Sequence, residues 1–410
     1  MKNIDNHKNV ILKKTKALAK KLIIHRSRLI NILLTYESLE TAQDEIDRSI
    51  RMLKATEEEI KFLSVAKANY ISSFLPINLP LYSLMLFSVV PSLTTIKEVY
   101  VRPPELIRPV FKKIISLLKN YIPGKIKFKY CERSYFLECF VKKSDVIIFT
   151  GRYGNALEVQ RKIPFKSLFI YNGGGVNPFL VAPSADINLA VSSCIKARCF
   201  NSGQDCAGPN AIIVHDSIAH FFIKKLAKGL DSLKIRSDYF GGNIIGLLVK
   251  TKNFLELQEF LKKNESKIIY GGSIDFVHKI CYPTISISGI IQDNNYTQEF
   301  FAPIFNILIY NTNKKLDFYF QNQNYLDYAM YVSVFGNSKY IKKIERHSIV
   351  LKNQSILDIN QNIFGGYGRK TSYASWGGFI FPRPILISKE IYNYNKILNS
   401  KKFNSKIFYG

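Results

Sequence analysis

The sequence predicts an α/β protein built on a doubly wound, mostly parallel sheet, with a second αβ unit after it. Three observations carry that expectation. Short runs rich in Val, Ile, Phe and Tyr alternate with longer helical runs between residues 98 and 172, the pattern of strand–helix–strand units. One strand-like run ends in the glycine turn Gly173-Gly174-Gly175, and a second αβ series runs from about 185 to 390. The chain has 410 residues, 47% hydrophobic and 22% charged. It can bury a sizeable core, which excludes a disordered, collagen-like or disulfide-scaffold protein.

Residues 8–64 read as helices. KNVILKKTKALAKKLIIHRSRLINILL sets apolar residues at helical spacing opposite a basic face, and LETAQDEIDRSIRMLKATEEEIKFL repeats the period with both signs of charge. A basic amphipathic helix also suits a membrane surface or a transit peptide. The alternating signs that soon follow favour an ordinary solvated face. Residues 68–96 contain no charged residue, a length that allows a membrane span. Pro76, Pro80 and Pro91 interrupt them, and Asn69, Asn78 and several serines dilute them. A strand, a turn and a buried helix are predicted there, and no membrane span. Strands follow at EVYVRP (98–103), KIKFKYCE (125–132), SDVIIFTG (144–151) and SLFIYN (167–172), with helices at 106–121 and 155–163.

Lys and Arg number 58 against 31 Asp and Glu, a net charge of +27. Such a field favours anionic ligands such as nucleotides. The excess is spread along the chain without a long block, as expected when AT-rich codons deliver Lys along with Ile, Asn, Tyr and Phe. A specific nucleic-acid groove is therefore not predicted. The cysteines at 131, 139, 194, 199, 206 and 281 form no CxxC pair and no cluster with His at zinc-ligand spacing, so no metal site is expected. The opening MKNIDNHKN lacks the apolar core of a secretion signal. A cytoplasmic location, reducing enough for a free thiol, is expected.

The sharpest segment is FNSGQDCAGPNAIIV (200–214), a small, polar, glycine-bearing loop that presents Cys206 ahead of a strand. A nucleophilic thiol needs such a place, with backbone N–H groups close by and no bulky shield. Asn201-Ser202-Gly203-Gln204-Asp205-Cys206 resembles the Asn-x-Gly-Gln-x-Cys motif of the aldehyde dehydrogenase superfamily. Other segments match in the family's order. LPINLP (75–80) resembles Pro-Trp-Asn-x-Pro, and YVRPPE (100–105) resembles the Lys-Pro-Ser-Glu strand end. IIFTGRYGNA (147–156) resembles the Phe-Thr-Gly-Ser turn beside the cofactor, and GGGVNPFLVAPSADINLAV (173–191) the Gly-Gly-Lys-x-Pro segment. QEFFAPIF (298–305) resembles Glu-x-Phe-Gly-Pro, and IFGGYGRKTSYASWGG (363–378) the Pro-Phe-Gly-Gly block. The resemblance runs from about 15 to 390, to a shortened and divergent member.

The resemblance implies an aldehyde-dehydrogenase-like fold. N-terminal helices and a Rossmann-type dinucleotide-binding lobe would occupy 1–173, an α/β catalytic thiol lobe 174–360, and a C-terminal segment packing back on the first lobe 361–410. It implies an NAD(P)-dependent oxidoreductase in which the Cys206 thiolate attacks an aldehyde carbonyl, giving a thiohemiacetal and then a thioester. Asn78 and the Cys206 backbone N–H would donate to the oxyanion. Arg102, Glu105, Gly151, Arg152, Gly174, Glu299 and Phe301 fall in the cofactor-binding segments. Glu105 corresponds to the adenine-side ribose ligand and Glu299 to the nicotinamide-ribose ligand, with Phe301 packed beside it. An acid at 105 repels a 2′-phosphate and tilts the expectation towards NAD over NADP, while Arg102 and the basic field pull the other way.

Where the family has its general-base glutamate, this chain has Asn172. An amide takes up no proton near neutral pH. Thioester hydrolysis is then expected to be slow, and a thiol acceptor such as coenzyme A, or the reverse reduction of an acyl-thioester, suits the site. Asp205 offers a substitute carboxylate. Arg152 replaces a small Ser and either clamps phosphate or fills the cofactor space. Val176, Ala156 and Ile363 replace the family's Lys, Gly and Pro. These departures leave open a catalytically degenerate member with a binding or scaffold role and, on charge alone, an anionic-polymer binder. The family's usual N-terminal strands are missing, and little room remains between Lys61 and Asn78 for its intersubunit hairpin. Oligomerisation by that route is not expected.

Overall fold

The computed structural model describes residues 2–233, 235, 251–291, 299–359 and 362–399. Three helices come first: α1 (Lys2–Ile24), α2 (Arg26–Leu33) and α3 (Leu39–Leu63). Ser38 caps α3, its hydroxyl accepting the Thr41 N–H at 3.3 Å. Their apolar stripes, among them Leu22, Leu29, Leu33, Ile46 and Leu53, pack into one core with residues 81–93. The charge-free stretch is thus the strand-turn-helix the sequence predicts. Its helical part, Pro80–Leu84 through Val90–Ser92, widens into a π turn at Met85–Val89, because Pro91 has no N–H to continue the regular ladder. Two carboxyls are buried where α3 meets this helix. Glu37 and Glu45 are 1% and 0% exposed, and Glu45 accepts the Tyr82 N–H at 2.9 Å. Among the described residues no helix is long and apolar enough to cross a membrane.

The strands run β1 (Tyr70–Phe74), β2 (Glu98–Arg102), β3 (Ile126–Phe128), β4 (Val146–Thr150) and β5 (Leu168–Asn172). Then come β6 (Pro178–Val181), β7 (Ala211–His215), β8 (Ile268–Tyr270), β9 (Ile274–Asp275), β10 (Ile280–Cys281), β11 (Thr284–Ile290) and β12 (Ile304–Tyr310). β13 (Tyr331–Phe335), β14 (Ile349–Lys352), β15 (Ser372–Trp376) and β16 (Phe379–Pro382) close the series. Among the described residues they build two seven-stranded sheets and one short pair, β9 with β10. The first sheet has the order β16-β15-β5-β4-β1-β2-β3, with its β5-to-β3 portion wholly parallel and β15 and β16 antiparallel. The second has the order β14-β13-β6-β7-β12-β11-β8, parallel except for β8.

The first sheet shows why short apolar runs become buried parallel strands. Val99 and Val101, Ile148, and Ile170 face the core shared with α1–α3, while Tyr100, Ile147 with Phe149, and Phe169 with Tyr171 face a second cluster. Both faces are covered, so in β2, β4 and β5 the residues on both faces are mainly apolar. β3 is shorter than the predicted 125–132. After Lys129 gives its N–H to Val101 at 2.8 Å, the chain leaves the ladder, and the Cys131 carbonyl is taken by Arg102 and Arg108. The helix expected at 155–163 begins earlier, at Tyr153, and ends at Gln160.

Two edges position the site. Strand order reverses at the β1–β4 boundary, which opens a crevice at the C-terminal ends of these parallel strands. In the second sheet β6, β7 and β12 are neighbours, and the segments entering them carry Gly174, Cys206 and Glu299. The segment 173–177 leads from β5 of the first sheet into β6 of the second.

Candidate active site

The helix Ile187–Cys199 ends in a tight turn in which Asn201 (φ 48°), Ser202 (φ 57°) and Gly203 (φ 75°) are all left-handed. A β-carbon at Gly203 would run into the backbone at Ala302 and Pro303, so glycine is required there. The turn is held from outside. The Asn201 N–H donates to the Thr41 hydroxyl of α3 at 3.2 Å, and the Asn201 amide donates to the Gln204 carbonyl at 3.2 Å. Asp205 folds back to accept the Ala207 N–H at 3.0 Å. Cys206 follows, half-buried and unpaired with any other cysteine. Its carbonyl accepts the Asn177 amide at 2.9 Å and the Gly175 N–H at 3.3 Å, which fixes the loop to the segment entering β6.

A buried arginine locks the underside. Arg198 is fully buried, and its guanidinium donates to the carbonyls of Ala302 (2.9 Å), Pro209 (2.9 Å), Gly203 (3.1 Å) and Phe300 (2.5 Å). One side chain thereby joins the cysteine loop to the segment entering β12. Burial pulls its pKa down to about 10, so it stays charged at neutral pH, its charge met by carbonyl dipoles. Asn210 extends the same brace, giving its amide to the Gly175 carbonyl at 2.8 Å and taking the Phe300 N–H at 3.2 Å.

The structure brings Asn78 to this loop. It follows β1, precedes left-handed Leu79 (φ 50°) and donates its amide to the Gln204 carbonyl at 3.3 Å. Asn172 ends β5, buried, in register with Thr150 and Ser372, and its carbonyl accepts the Gly151 N–H at 3.0 Å. Glu299 lies over Gly174, where any β-carbon would collide with its carboxylate. Solvent reaches the Glu299 residue, but the protein packed around its carboxyl pushes the pKa up to about 7, against the pull of Arg152 and Arg198. Phe301 beside it is half-buried.

The electrostatics around the thiol are unfavourable to its ionisation. Burial pushes the Cys206 thiol well above its ordinary range, Asp205 and Glu299 push it further, and Arg48 opposes them. Burial also raises the Asp205 carboxyl, against the Ala207 N–H and the Arg48 and Arg198 charges. Arg48 comes from α3. It pairs with Asp44 at 2.7 Å and lies over the Tyr82 and Phe200 rings at 5.5 and 5.6 Å. Sequence reasoning missed Arg48, Arg198 and Asn177. In a chain of net charge +27 nothing local marks two arginines out, whereas Asn177 lies in the glycine segment and was findable as a polar residue bordering a turn.

The remaining predicted residues line the C-terminal edge of the first sheet. Arg102 ends β2, and Glu105 accepts from its guanidinium at 2.7 Å. Gly151 follows β4. Arg152 occupies the position before the helix Tyr153–Gln160 without a side-chain capping bond, and its exposed side chain extends to 3.9 Å from Glu256. Several polar atoms along this edge are buried without a partner: Thr150 Oγ1, Arg108 Nε and Arg133 Nε. Such atoms favour a polar ligand, and a crevice at a strand-order reversal is where dinucleotides bind in α/β sheets. The residues present fit a nicotinamide dinucleotide.

Comparison with known proteins agrees with this geometry. The lactaldehyde dehydrogenase of Methanococcus aeolicus is 27% identical over 230 residues, 55% of this chain and 48% of that protein. The chain thus matches about half the length of such curated relatives. The crystal structure of a glyceraldehyde-3-phosphate dehydrogenase from Methanocaldococcus jannaschii complexed with NADP superposes with a TM-score of 0.76 at 21% identity, covering 96% of this chain and 91% of that one. A betaine aldehyde dehydrogenase from Staphylococcus aureus in complex with NAD+ gives 0.75 at 18% identity, covering 94% and 83%. The profile of the aldehyde dehydrogenase family matches residues 10–375, so the chain belongs to that family.

Proposed function

We propose that the protein is an NAD(P)-dependent oxidoreductase acting on an aldehyde, or in reverse on its acyl-thioester, through a covalent intermediate on Cys206. The observation that carries this reading is the Asn78 amide, held on the cysteine loop by the Gln204 carbonyl beside a half-buried thiol. Attack of the Cys206 sulfur on the carbonyl carbon gives a thiohemiacetal, whose oxygen is met by the second N–H of Asn78 and the Cys206 backbone N–H. The nicotinamide cofactor, when bound, supplies the hydride acceptor. Glu299 and Phe301 would hold it at the nicotinamide end, Gly151, Arg152 and Gly174 along its middle, and Arg102 and Glu105 at the adenine end. The lobes would be 1–173 and 174–360, with the segment from 361 on completing the first as far as the described residues reach, to 399.

Asn172 stands at the C-terminal end of β5, where the family carries a base. Its amide orients but abstracts no proton, so the thioester would leave to a thiol acceptor such as coenzyme A faster than to water. Six free cysteines accord with a cytoplasmic, reducing setting. One feature favours a second reading, a degenerate member with a binding or scaffold role: burial, reinforced by Asp205 and Glu299, holds the Cys206 thiol away from ionisation.

Rapid mixing with NAD or NADP and a panel of aldehydes separates the two. The enzymatic reading expects a burst of reduced cofactor that Cys206→Ala abolishes, with coenzyme A restoring turnover. Absence of a burst with every aldehyde, and of reverse reaction with acyl-thioesters, would establish the degenerate reading.

A further inference from the structure

We propose that Glu45 is a positioning residue for the Asn78 amide: its buried carboxyl, reaching across from α3, caps the helix that opens at Pro80 and so sets the turn from which Asn78 meets the cysteine loop. The inference rests on the reading that Asn78 donates to an oxyanion formed on Cys206, and it adds what holds that donor in place. Glu45 lies outside every motif that carries the family resemblance.

The turn after Asn78 supplies no cap of its own. Leu79 stands before the helix in the left-handed region (φ 50°) with a side chain that accepts nothing, and Pro80 has no N–H. The Ser83 N–H goes to the Leu79 carbonyl at 2.9 Å, so Leu81 and Tyr82 carry the orphan N–H groups of the first turn. Glu45 Oε1 takes the Tyr82 N–H at 2.9 Å from 37 positions earlier in the chain. That first turn in turn holds Asn78, whose carbonyl accepts the Ser83 hydroxyl at 3.1 Å. The Asn78 amide then reaches the Gln204 carbonyl at 3.3 Å.

The rest of the α2–α3 corner grips the neighbouring residues. The Tyr36 hydroxyl donates to the Ile77 carbonyl, directly before Asn78. The Thr41 hydroxyl accepts the Asn201 N–H at 3.2 Å. Residues 36–45 therefore hold the chain on both sides of Asn78 and also the turn that leads to Cys206. Glu45 is an expensive way to fill this space. It is 0% exposed, and its Oε2 is buried without a partner. Burial pushes its pKa up to about 7, against the pull of the Tyr82 and Leu81 N–H groups. A buried carboxyl left partly unsatisfied destabilises a fold. What Glu45 contributes is an acceptor over the Tyr82 N–H, which it offers in either protonation state.

The test is the burst of reduced cofactor on rapid mixing, in wild type, Glu45→Leu, Glu45→Gln and Tyr36→Phe, each alone and combined with Asn78→Ala. Glu45→Leu fills the space but accepts nothing. It should slow the burst at least tenfold while the aldehyde concentration for half-maximal rate moves by less than threefold. Its melting temperature at pH 8.5 should not fall, since removing a buried, ionising carboxyl offsets the lost hydrogen bond. Glu45→Gln keeps an acceptor and should stay within threefold of wild type. In the Asn78→Ala background, Glu45→Leu should slow the burst by less than twofold more. A Glu45→Leu burst at the wild-type rate, a loss that adds in full to that of Asn78→Ala, or Glu45→Gln as slow as Glu45→Leu would overturn the proposal and leave the enzymatic reading intact. No burst from the wild type with any aldehyde would overturn both. If Glu45→Leu does not fold, Tyr36→Phe decides by the same cycle: a loss of at least threefold that vanishes in Asn78→Ala supports the proposal, and no loss or an additive one overturns it.

Discussion

The side-chain amide of Asn78 donates to the carbonyl of Gln204 at 3.3 Å across 126 positions of sequence. This single bond ties the loop after β1 to the loop that presents Cys206. It also orients the amide, whose second N–H would meet the developing oxyanion in the proposed reaction. Asn78→Ala should therefore reduce the rate of cofactor reduction by about 10²–10³-fold while lowering stability by only about 1 kcal/mol. Stopped-flow absorbance and thermal denaturation check the two parts.

Asn172→Glu should add what the site lacks. At the C-terminal end of β5, a carboxylate would activate water, and steady-state turnover without coenzyme A should rise by about 10²-fold or more. The burst amplitude should stay unchanged, since it precedes that step. A smaller burst with no gain in turnover would show that residue 172 does not face the acyl group.

Cys206 should be a sluggish nucleophile in the free protein. With burial, Asp205 and Glu299 all holding it as the thiol, alkylation by iodoacetamide at pH 7.5 should be at least tenfold slower than for an exposed cysteine, and the rate should keep climbing to pH 10. Peptide mass spectrometry resolves Cys206 from the partly exposed Cys131 and Cys139. A rate plateau near pH 7 would contradict this.

Glu37 and Glu45 make stability fall with rising pH. Burial raises both carboxyls, Glu45 to about 7, and the Glu45 neighbour raises Glu37 further. The folded chain thus binds protons that the unfolded chain has released above about pH 4.5. Their contribution is complete below that pH and is lost as the pH rises through 7 and beyond. Glu37→Gln should raise the melting temperature at pH 8.5 by about 2–4 °C and leave it unchanged at pH 5.

Arg198→Met should be severe. It keeps much of the volume but strips donors from the carbonyls of Gly203, Pro209, Phe300 and Ala302. A loss of about 3 kcal/mol or more is expected from denaturant titration, with loss of any cofactor-reduction burst.

Much of this arrangement is legible in the residue string. The apolar runs at 98–103, 144–151 and 167–172 are strands, the charge-free stretch is a strand and a buried helix, and the residues singled out by motif lie at two facing sheet edges. Local pattern reports such features because a strand buried on both faces is largely apolar. It does not report Arg48, Arg108, Arg198 or Asn177. Each owes its position to a partner far along the chain, as α3 meets the cysteine loop through Thr41 and Asn201. The short β3 is the same lesson: two arginines compete for a carbonyl that the strand pattern alone would leave in the ladder.

The pairing of β15 with β5 sets Ser372 opposite Asn172, and this has a consequence for biosynthesis. A ribosome finishes β5 and makes the entire second sheet before it releases the strand that lies alongside. For most of that interval the nascent chain carries Cys206 but holds an open sheet edge, a template for wrong partners. The crevice is therefore finished only after the second sheet has been made, and a chain halted before position 372 would display the thiol on an unsealed scaffold.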